Sequence, residues 1–162
     1  MKSHAYEARI RWTGAELGPA LDYRTYSREY TAEIAGKPPL VGSADAVFRG
    51  DSALHNPEDL LLISLSACHL LTYLALCARN GIAVEAYEDS AAGTMAERGG
   101  KVRFVEVVLH PRCVVSGDVE AATRLREQAH ADCFIANSVN FPVRAEPQVS
   151  AATSQAGARY SA

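Results

Sequence analysis

The 162-residue chain has no run of lysines and arginines, and it carries a net charge of −3 with a pI near 5.9. A polyanion such as nucleic acid is therefore not an expected partner. The amino terminus, Met1-Lys2-Ser3-His4-Ala5-Tyr6-Glu7-Ala8-Arg9, alternates polar and apolar residues and lacks the apolar stretch of a leader. No secretory signal is expected, and a cytoplasmic location follows as an expectation. Internal repeats and a second composition block are absent. The expected organisation is one domain over residues 1–149, followed by a flexible Ala/Ser/Thr/Gln/Gly tail over 150–162. Cysteine is scarce, at four residues. In a reducing compartment Cys68, Cys77, Cys113 and Cys133 are better suited to chemistry, metal binding or core packing than to a disulfide framework.

Charge is also missing from Leu60 to Ala78, a run of 19 residues without Asp, Glu, Lys or Arg. That length just reaches a membrane span. The run contains Ser64, Ser66, His69 and Thr72, however, and we expect a buried helix rather than a membrane partner. A helix apolar on all sides belongs in a core or a subunit interface.

What is present reads as an α+β chain. Tyr6, Ala8, Ile10 and Trp12 alternate with Glu7, Arg9 and Arg11, the pattern of a half-buried strand over 5–12. Residues 24–34 look extended again, and 40–55 suggest a weak strand and a loop. Asn56-Pro57-Glu58-Asp59 is a helix start, with an N-cap, a first-turn proline and acids at the positive end of the dipole. The helix should stop at Asn80-Gly81. Two strands, about 82–96 and 101–115, flank a turn at Arg98-Gly99-Gly100-Lys101. An amphipathic helix from Ser116-Gly117-Asp118 to Asp132 follows, then a last strand over 141–149. The order β-β-β-α-β-β-α-β implies a mostly antiparallel sheet around a long buried helix. One small sheet cannot cover every side of such a helix, and a homodimer is the natural remedy.

A cysteine on an apolar helix is ordinarily core, and Cys77 and Cys113 are assigned there. Cys68 and Cys133 have more telling surroundings. The first lies in Asn56-Pro57-Glu58 … Ser66-Ala67-Cys68-His69 and the second in Cys133-Phe134-Ile135-Ala136-Asn137-Ser138. These segments, with Tyr26-Ser27-Arg28-Glu29-Tyr30 upstream, resemble the OsmC/Ohr family of organic hydroperoxide reductases over roughly residues 5–148. The resemblance implies an OsmC-like fold built as an intertwined homodimer with active sites at the subunit interface. It places the peroxidatic cysteine at Cys68, the resolving cysteine at Cys133 and the acidic partner at Glu58. The active-site arginine falls on Arg28, with Arg24 as the alternative. It implies an organic hydroperoxide as substrate and a thiol reductant, a lipoyl-type dithiol in some members. Neither a cofactor nor a metal is called for.

The chemistry is coherent on its own terms. A thiolate attacks the peroxide, and an arginine beside it would favour that charged form and hold the peroxide oxygens. Attack yields a sulfenic acid that condenses with the second thiol, and thiol–disulfide exchange restores the pair. Geometry imposes one constraint. Ten residues of straight helix rise about 15 Å, so Glu58 and Cys68 can share one guanidinium only if the helix breaks near Ser64–Ser66. Such a break would also put Cys68 at a helix N-terminus. His69 projects about 100° away from Cys68 and is read as a hydrogen-bonded residue rather than a zinc ligand. Leu65, Leu71, Phe134 and Ile135 are expected as pocket walls favouring alkyl over hydrogen peroxides. Two other functions fit the same residues. One is a redox-sensing or apolar-ligand-binding dimer; the other is a cysteine nucleophile for acyl transfer, with His69 as its base.

Overall fold

A computed structural model describes residues 3–152. The chain divides between Leu61 and Leu62 into two compact units.

In the first unit, β1 (Arg9–Trp12), β2 (Tyr30–Glu33) and β3 (Leu40–Gly42) form an antiparallel sheet in that order. Arg9 pairs with Glu33, and Tyr30 with Gly42. A Cβ on Gly42 would run into the Tyr30 ring and the His55 carbonyl, so only glycine lets β3 pack this closely. The alternating apolar face of the amino-terminal segment is not half-buried as its pattern suggests. Tyr6 is 92% exposed and Ile10 63%.

Helix α1 (Pro57–Arg79) starts as its sequence demands. The Asp59 N–H donates to Asn56 Oδ1 at 2.7 Å, and the Asn56 N–H donates to Asp59 Oδ2 at 3.3 Å, a reciprocal cap. At the far end Gly81 takes φ of 69°, a left-handed stop that glycine adopts without strain.

In the second unit the two long strands of the sequence reading are each split. The first becomes β4 (Ala83–Asp89) and β5 (Ala92–Arg98); the second becomes β6 (Lys101–Leu109) and β7 (Pro111–Ser116). The break is made by Asp89 and His110. The His110 N–H donates to Asp89 Oδ1 at 2.7 Å, and the His110 ring meets the Ser90 carbonyl at 2.8 Å. These bonds turn the chain out of one pair and into another. The expected hairpin is present, with Gly99 and Gly100 at φ of 61° and 74°. The last strand is also divided, into β8 (Val143–Ala145) and β9 (Gln148–Ala151). β8 pairs parallel to β6, and β9 parallel to β7. The unit therefore holds two three-stranded sheets, β4-β7-β9 and β5-β6-β8. Strand β9 extends past the expected start of the tail; the rest of that tail lies outside the described residues.

Helix α2 (Val119–Ala131) is capped by Asp118, whose side chain accepts from the Ala121 N–H. It closes the core over α1, β4 and β7. Tyr73, Leu76, Cys77, Cys113, Val115, Ala122 and Ala129 cluster there, and the Tyr73 hydroxyl reaches the Ala122 carbonyl at 3.3 Å. Leu65, His69, Tyr73, Leu76 and Cys77 form the buried stripe of α1, spaced by three and four residues as one helix face requires. The rest of the helix is not enclosed: Leu71 is 65% exposed and Ile63 51%. α1 has the length and hydropathy of a membrane span, but its buried stripe is that of a helix packed on a sheet.

Burial pushes the Cys113 thiol up to about 11 and raises that of Cys77 as well. The folded chain thus holds these protons to higher pH than the unfolded chain, whose thiols titrate near 8.5. Stability from this source is complete below about pH 8.5 and is lost as pH rises toward 11. The melting temperature should fall over that window, and Cys113→Ala should flatten the fall, whatever it does to the value at neutral pH. Scanning calorimetry in stepped buffers checks this; a slope indifferent to the Cys113 thiol would refute it.

Candidate functional site

Cys68 lies in the middle of α1, three turns from its start. The stripe that buries Leu65 and His69 leaves Cys68 to one side, half-buried and facing the segment after α2. That segment leaves the helix at Asp132 and winds into a short 3-10 turn at Ala136–Ser138. The turn is fixed by its own bonds: Asn137 N–H to the Cys133 carbonyl at 3.0 Å, and the Ser138 hydroxyl to the Phe134 carbonyl at 2.7 Å. It delivers two groups to Cys68. The Ile135 N–H donates to Cys68 Sγ at 3.5 Å, and the Cys133 side chain stands beside it. Both cysteines are free thiols.

The two sulfurs have unlike environments. Cys133 is 1% exposed. Burial first, and then the neighbouring Cys68, pushes its thiol up to about 11. Cys133 is therefore a proton-bearing donor at neutral pH. Cys68 accepts a hydrogen bond from the Ile135 N–H and faces an open groove of about 810 Å³. Ala67, Leu71, Ala75, Leu76 and Phe134 make its walls predominantly apolar, and the volume suits a small organic molecule. Leu71 and Phe134 stand where a pocket was expected; Leu65 does not, being fully buried in the interior. Ile135 contributes its backbone N–H rather than an apolar wall.

The expected break in α1 is absent. The helix runs unbroken through Ser64 and Ser66, and the Ser66 hydroxyl donates to Asp89 Oδ2 at 2.5 Å instead of capping a new helix. That strand carboxylate satisfies the serine laterally, and nothing in the segment, neither proline nor glycine, forces a break. Cys68 accordingly has no helix N-terminus beside it. Glu58, ten residues earlier on a continuous helix, is about 15 Å away along the axis. Within one chain Glu58 is thus ill-placed to share a guanidinium with Cys68.

Arg28 and Glu58 belong to the first unit. The Arg28 guanidinium donates to the carbonyls of Tyr26 at 2.9 Å and Tyr23 at 2.6 Å, and it stacks over both rings at 4.0 and 5.0 Å. Its planar fork is thereby held in one orientation. Arg24 is exposed, and its backbone N–H bonds Asp22. Among the described residues no ion pair joins Arg28 to Glu58. Glu58 Oε2 is buried without a hydrogen-bond partner, and its charge helps raise the Tyr30 phenol. An orphaned buried carboxylate oxygen is costly.

His69 turns away from Cys68 into the interior, where Nδ1 meets the Tyr87 hydroxyl at 2.9 Å. It is 1% exposed, and burial lowers its affinity for a second proton. It is not placed to act as a base on Cys68, which removes the base that an acyl-transfer mechanism would need. Among the described residues no group of three or more His, Cys, Asp or Glu side chains is arranged to hold a metal ion. The sequence reading missed the Ile135 amide and the Ser66–Asp89 and His69–Tyr87 pairs. A backbone N–H carries no side-chain signal, and strand partners 18 and 23 residues away have no local signature.

Comparison with known proteins agrees with this architecture. The sequence profile of OsmC-like proteins matches residues 50–147, more than half of the chain. A solved OsmC-like protein of unknown function from Vibrio cholerae is 30% identical, with a TM-score of 0.82 over 90% of this chain and 99% of that one. An organic hydroperoxide resistance protein from Elizabethkingia anophelis shares the fold at 19% identity, with a TM-score of 0.66 over 93% of this chain and 99% of that one. The uncharacterized protein YmaD of Bacillus subtilis is 23% identical over 100 residues, 59% of this chain and 67% of that one. A profile match of that extent and a structural match of that quality place the chain in the OsmC-like protein family.

Proposed function

We propose that this protein is a thiol-dependent peroxidase that reduces organic hydroperoxides to alcohols in a reducing, cytoplasmic setting. The observation that carries the reading is that the turn beginning at the buried Cys133 is bonded to Cys68, through the Ile135 N–H, beside an apolar groove. The Cys68 thiolate attacks the terminal peroxide oxygen, the O–O bond breaks, and the alkoxide leaves as alcohol after taking a proton. Cys68 is left as a sulfenic acid. The Cys133 sulfur then bonds to Cys68, and the sulfenic hydroxyl departs as water with the Cys133 proton. A dithiol reduces the disulfide and is itself oxidised. The Cys68 sulfur accepts from the Ile135 N–H and opens on the groove, whereas Cys133 is buried and held as the thiol, which supports Cys68 as the nucleophile.

Arg28 and Glu58 complete the site from a second copy of the chain. Three observations support an intertwined homodimer. The unbroken α1 separates Glu58 from its own Cys68; Glu58 Oε2 is buried without a partner; and apolar faces stand open at Ile10, Ile63 and Leu71. Faces of that kind are what an obligate interface covers.

Turnover of cumene hydroperoxide with dithiothreitol or dihydrolipoamide should fall to background in Cys68→Ser. In Cys133→Ser a sulfenic acid should accumulate at Cys68, detected by dimedone labelling and mass spectrometry. Wild-type activity in Cys68→Ser would end this reading. Because the groove is apolar, kcat/KM for cumene hydroperoxide should exceed that for hydrogen peroxide by at least about tenfold, or roughly 1.4 kcal/mol; equal values would contradict it.

The shared site has a test of its own. Cys68→Ser and Arg28→Ala chains are each inactive, but unfolded together and refolded they should recover roughly a quarter of wild-type activity. Half of the randomly paired dimers are mixed, and each mixed dimer holds one intact site. No recovery, despite mixed dimers seen by native mass spectrometry, would place Arg28 in the same chain as the Cys68 it serves.

A further inference from the structure

Among the described residues, Arg49 is the one residue other than glycine with a positive φ, at 65°. Its ψ of 29° completes a left-handed conformation, where a side chain is strained and glycine is the relaxed choice. The following residue shows what this loop holds where sterics alone decide: a Cβ on Gly50 would collide with the Ala44 carbonyl. The loop enforces the strain. Arg49 ends a short 3-10 turn at Ala46–Phe48, and its N–H donates to the Ala46 carbonyl at 2.9 Å. The Gly50 N–H donates to the Asp45 carbonyl at 3.0 Å, and Asp45 Oδ1 accepts from the Val47 N–H at 2.7 Å. Strain held this firmly at an arginine points to a use for its side chain.

That side chain reaches the aromatic clamp of Arg28. The Arg49 guanidinium lies over the Tyr23 ring, with Cζ 5.9 Å from the centroid. The Arg28 guanidinium lies over the same ring at 5.0 Å and donates to the Tyr23 carbonyl at 2.6 Å. Tyr23 is 62% exposed, so interior packing does little to fix its ring. Among the described residues neither arginine is ion-paired with a carboxylate. Both line one cavity of about 500 Å³, and the acids Glu29 and Asp51 on its walls offset two like charges near one ring. The Arg49 loop is also tied to the start of α1. Asp45 Oδ2 accepts from Asn56 Nδ2 at 3.3 Å, and Asn56 caps the turn that carries Glu58. The loop of Arg49 thus links the clamp of Arg28 to the helix end of Glu58, all within the first unit.

We propose that Arg49 is a positioning residue for Arg28: acting through the Tyr23 ring, it fixes the Arg28 fork relative to Glu58, so that the two groups meet the Cys68 sulfur together. The inference rests on the reading of Arg28 as the active-site arginine. Arg49 takes no part in the chemistry itself. Without it Arg28 keeps its two carbonyl acceptors, but Tyr23, which supplies one of those carbonyls and one of the two stacked rings, loses its second support. A guanidinium that drifts loses the bidentate geometry its planar fork provides.

The test uses full-length protein. Arg49→Gly removes the guanidinium and suits the left-handed backbone, so its melting temperature should equal or exceed that of wild type. Its kcat/KM for cumene hydroperoxide should nevertheless fall roughly tenfold. The pH profile of iodoacetamide alkylation at Cys68, followed on the Cys68 peptide by mass spectrometry, should move to higher pH. Arg28→Ala should move it further in the same direction. Adding Arg49→Gly to Arg28→Ala should move it no more, because a group that acts through Arg28 has nothing left to act on. Wild-type turnover in Arg49→Gly would overturn the inference. So would a loss of turnover with a lowered melting temperature and an unmoved alkylation profile, the mark of a merely structural role. A second upward step in the double variant would show Arg49 acting on its own and would also overturn it. Wild-type turnover in Arg28→Ala would instead remove the arginine assignment on which the inference rests, and wild-type turnover in Cys68→Ser the peroxidase reading itself.

Discussion

The contact between Cys68 and the turn that begins at Cys133 is the constraint on which the site depends. It joins mid-helix and loop positions 65 residues apart, and the packing of α1 against α2 and β4 must hold the register for it to exist. The Tyr73 hydroxyl on the Ala122 carbonyl, with the small residues Ala122 and Ala129 beneath it, lets the helices approach closely enough. The turn then does the fine positioning, because its internal bonds leave the Ile135 N–H free to point at Cys68.

One helix serves chemistry on one side and structure on the other. His69, Tyr73 and Cys77 face the core, and Cys68 and Leu71 border the groove. A helix of uniform hydrophobicity permits this division, since neither face is marked by charge. The same uniformity leaves Leu71 and Ile63 exposed in a single chain. The proposed homodimer would cover them.

Much of this was legible in the sequence, and the reasons differ by element. The α1 cap, its left-handed glycine stop and the Gly-Gly hairpin are local; each is dictated by a few adjacent residues and appears as expected. The pairing of Cys68 with Cys133 was visible only through the family resemblance, since no spacing rule links a helix to a distant turn. The split strands were not legible, because Asp89 acts through a bond to the His110 amide 21 residues later. The supposed break at Ser64–Ser66 failed for a related reason. A break there is required only if Glu58 and Cys68 act within one chain. Ser66 had a lateral partner that no local reading could supply.

That failure carries the strongest structural argument for a paired site. If α1 had broken, one chain could have assembled Arg28, Glu58 and Cys68 by itself, and an open apolar surface would have needed a separate explanation. Because α1 is straight, the acid and the thiol are held apart by about three turns, while Glu58 Oε2 remains buried without a donor. The stranded acid, the arginine held in its aromatic clamp, the open groove and the uncovered faces then cease to be four separate oddities. A second copy related by a two-fold axis, as proposed, would answer them together, because each chain then supplies the other with the same groups.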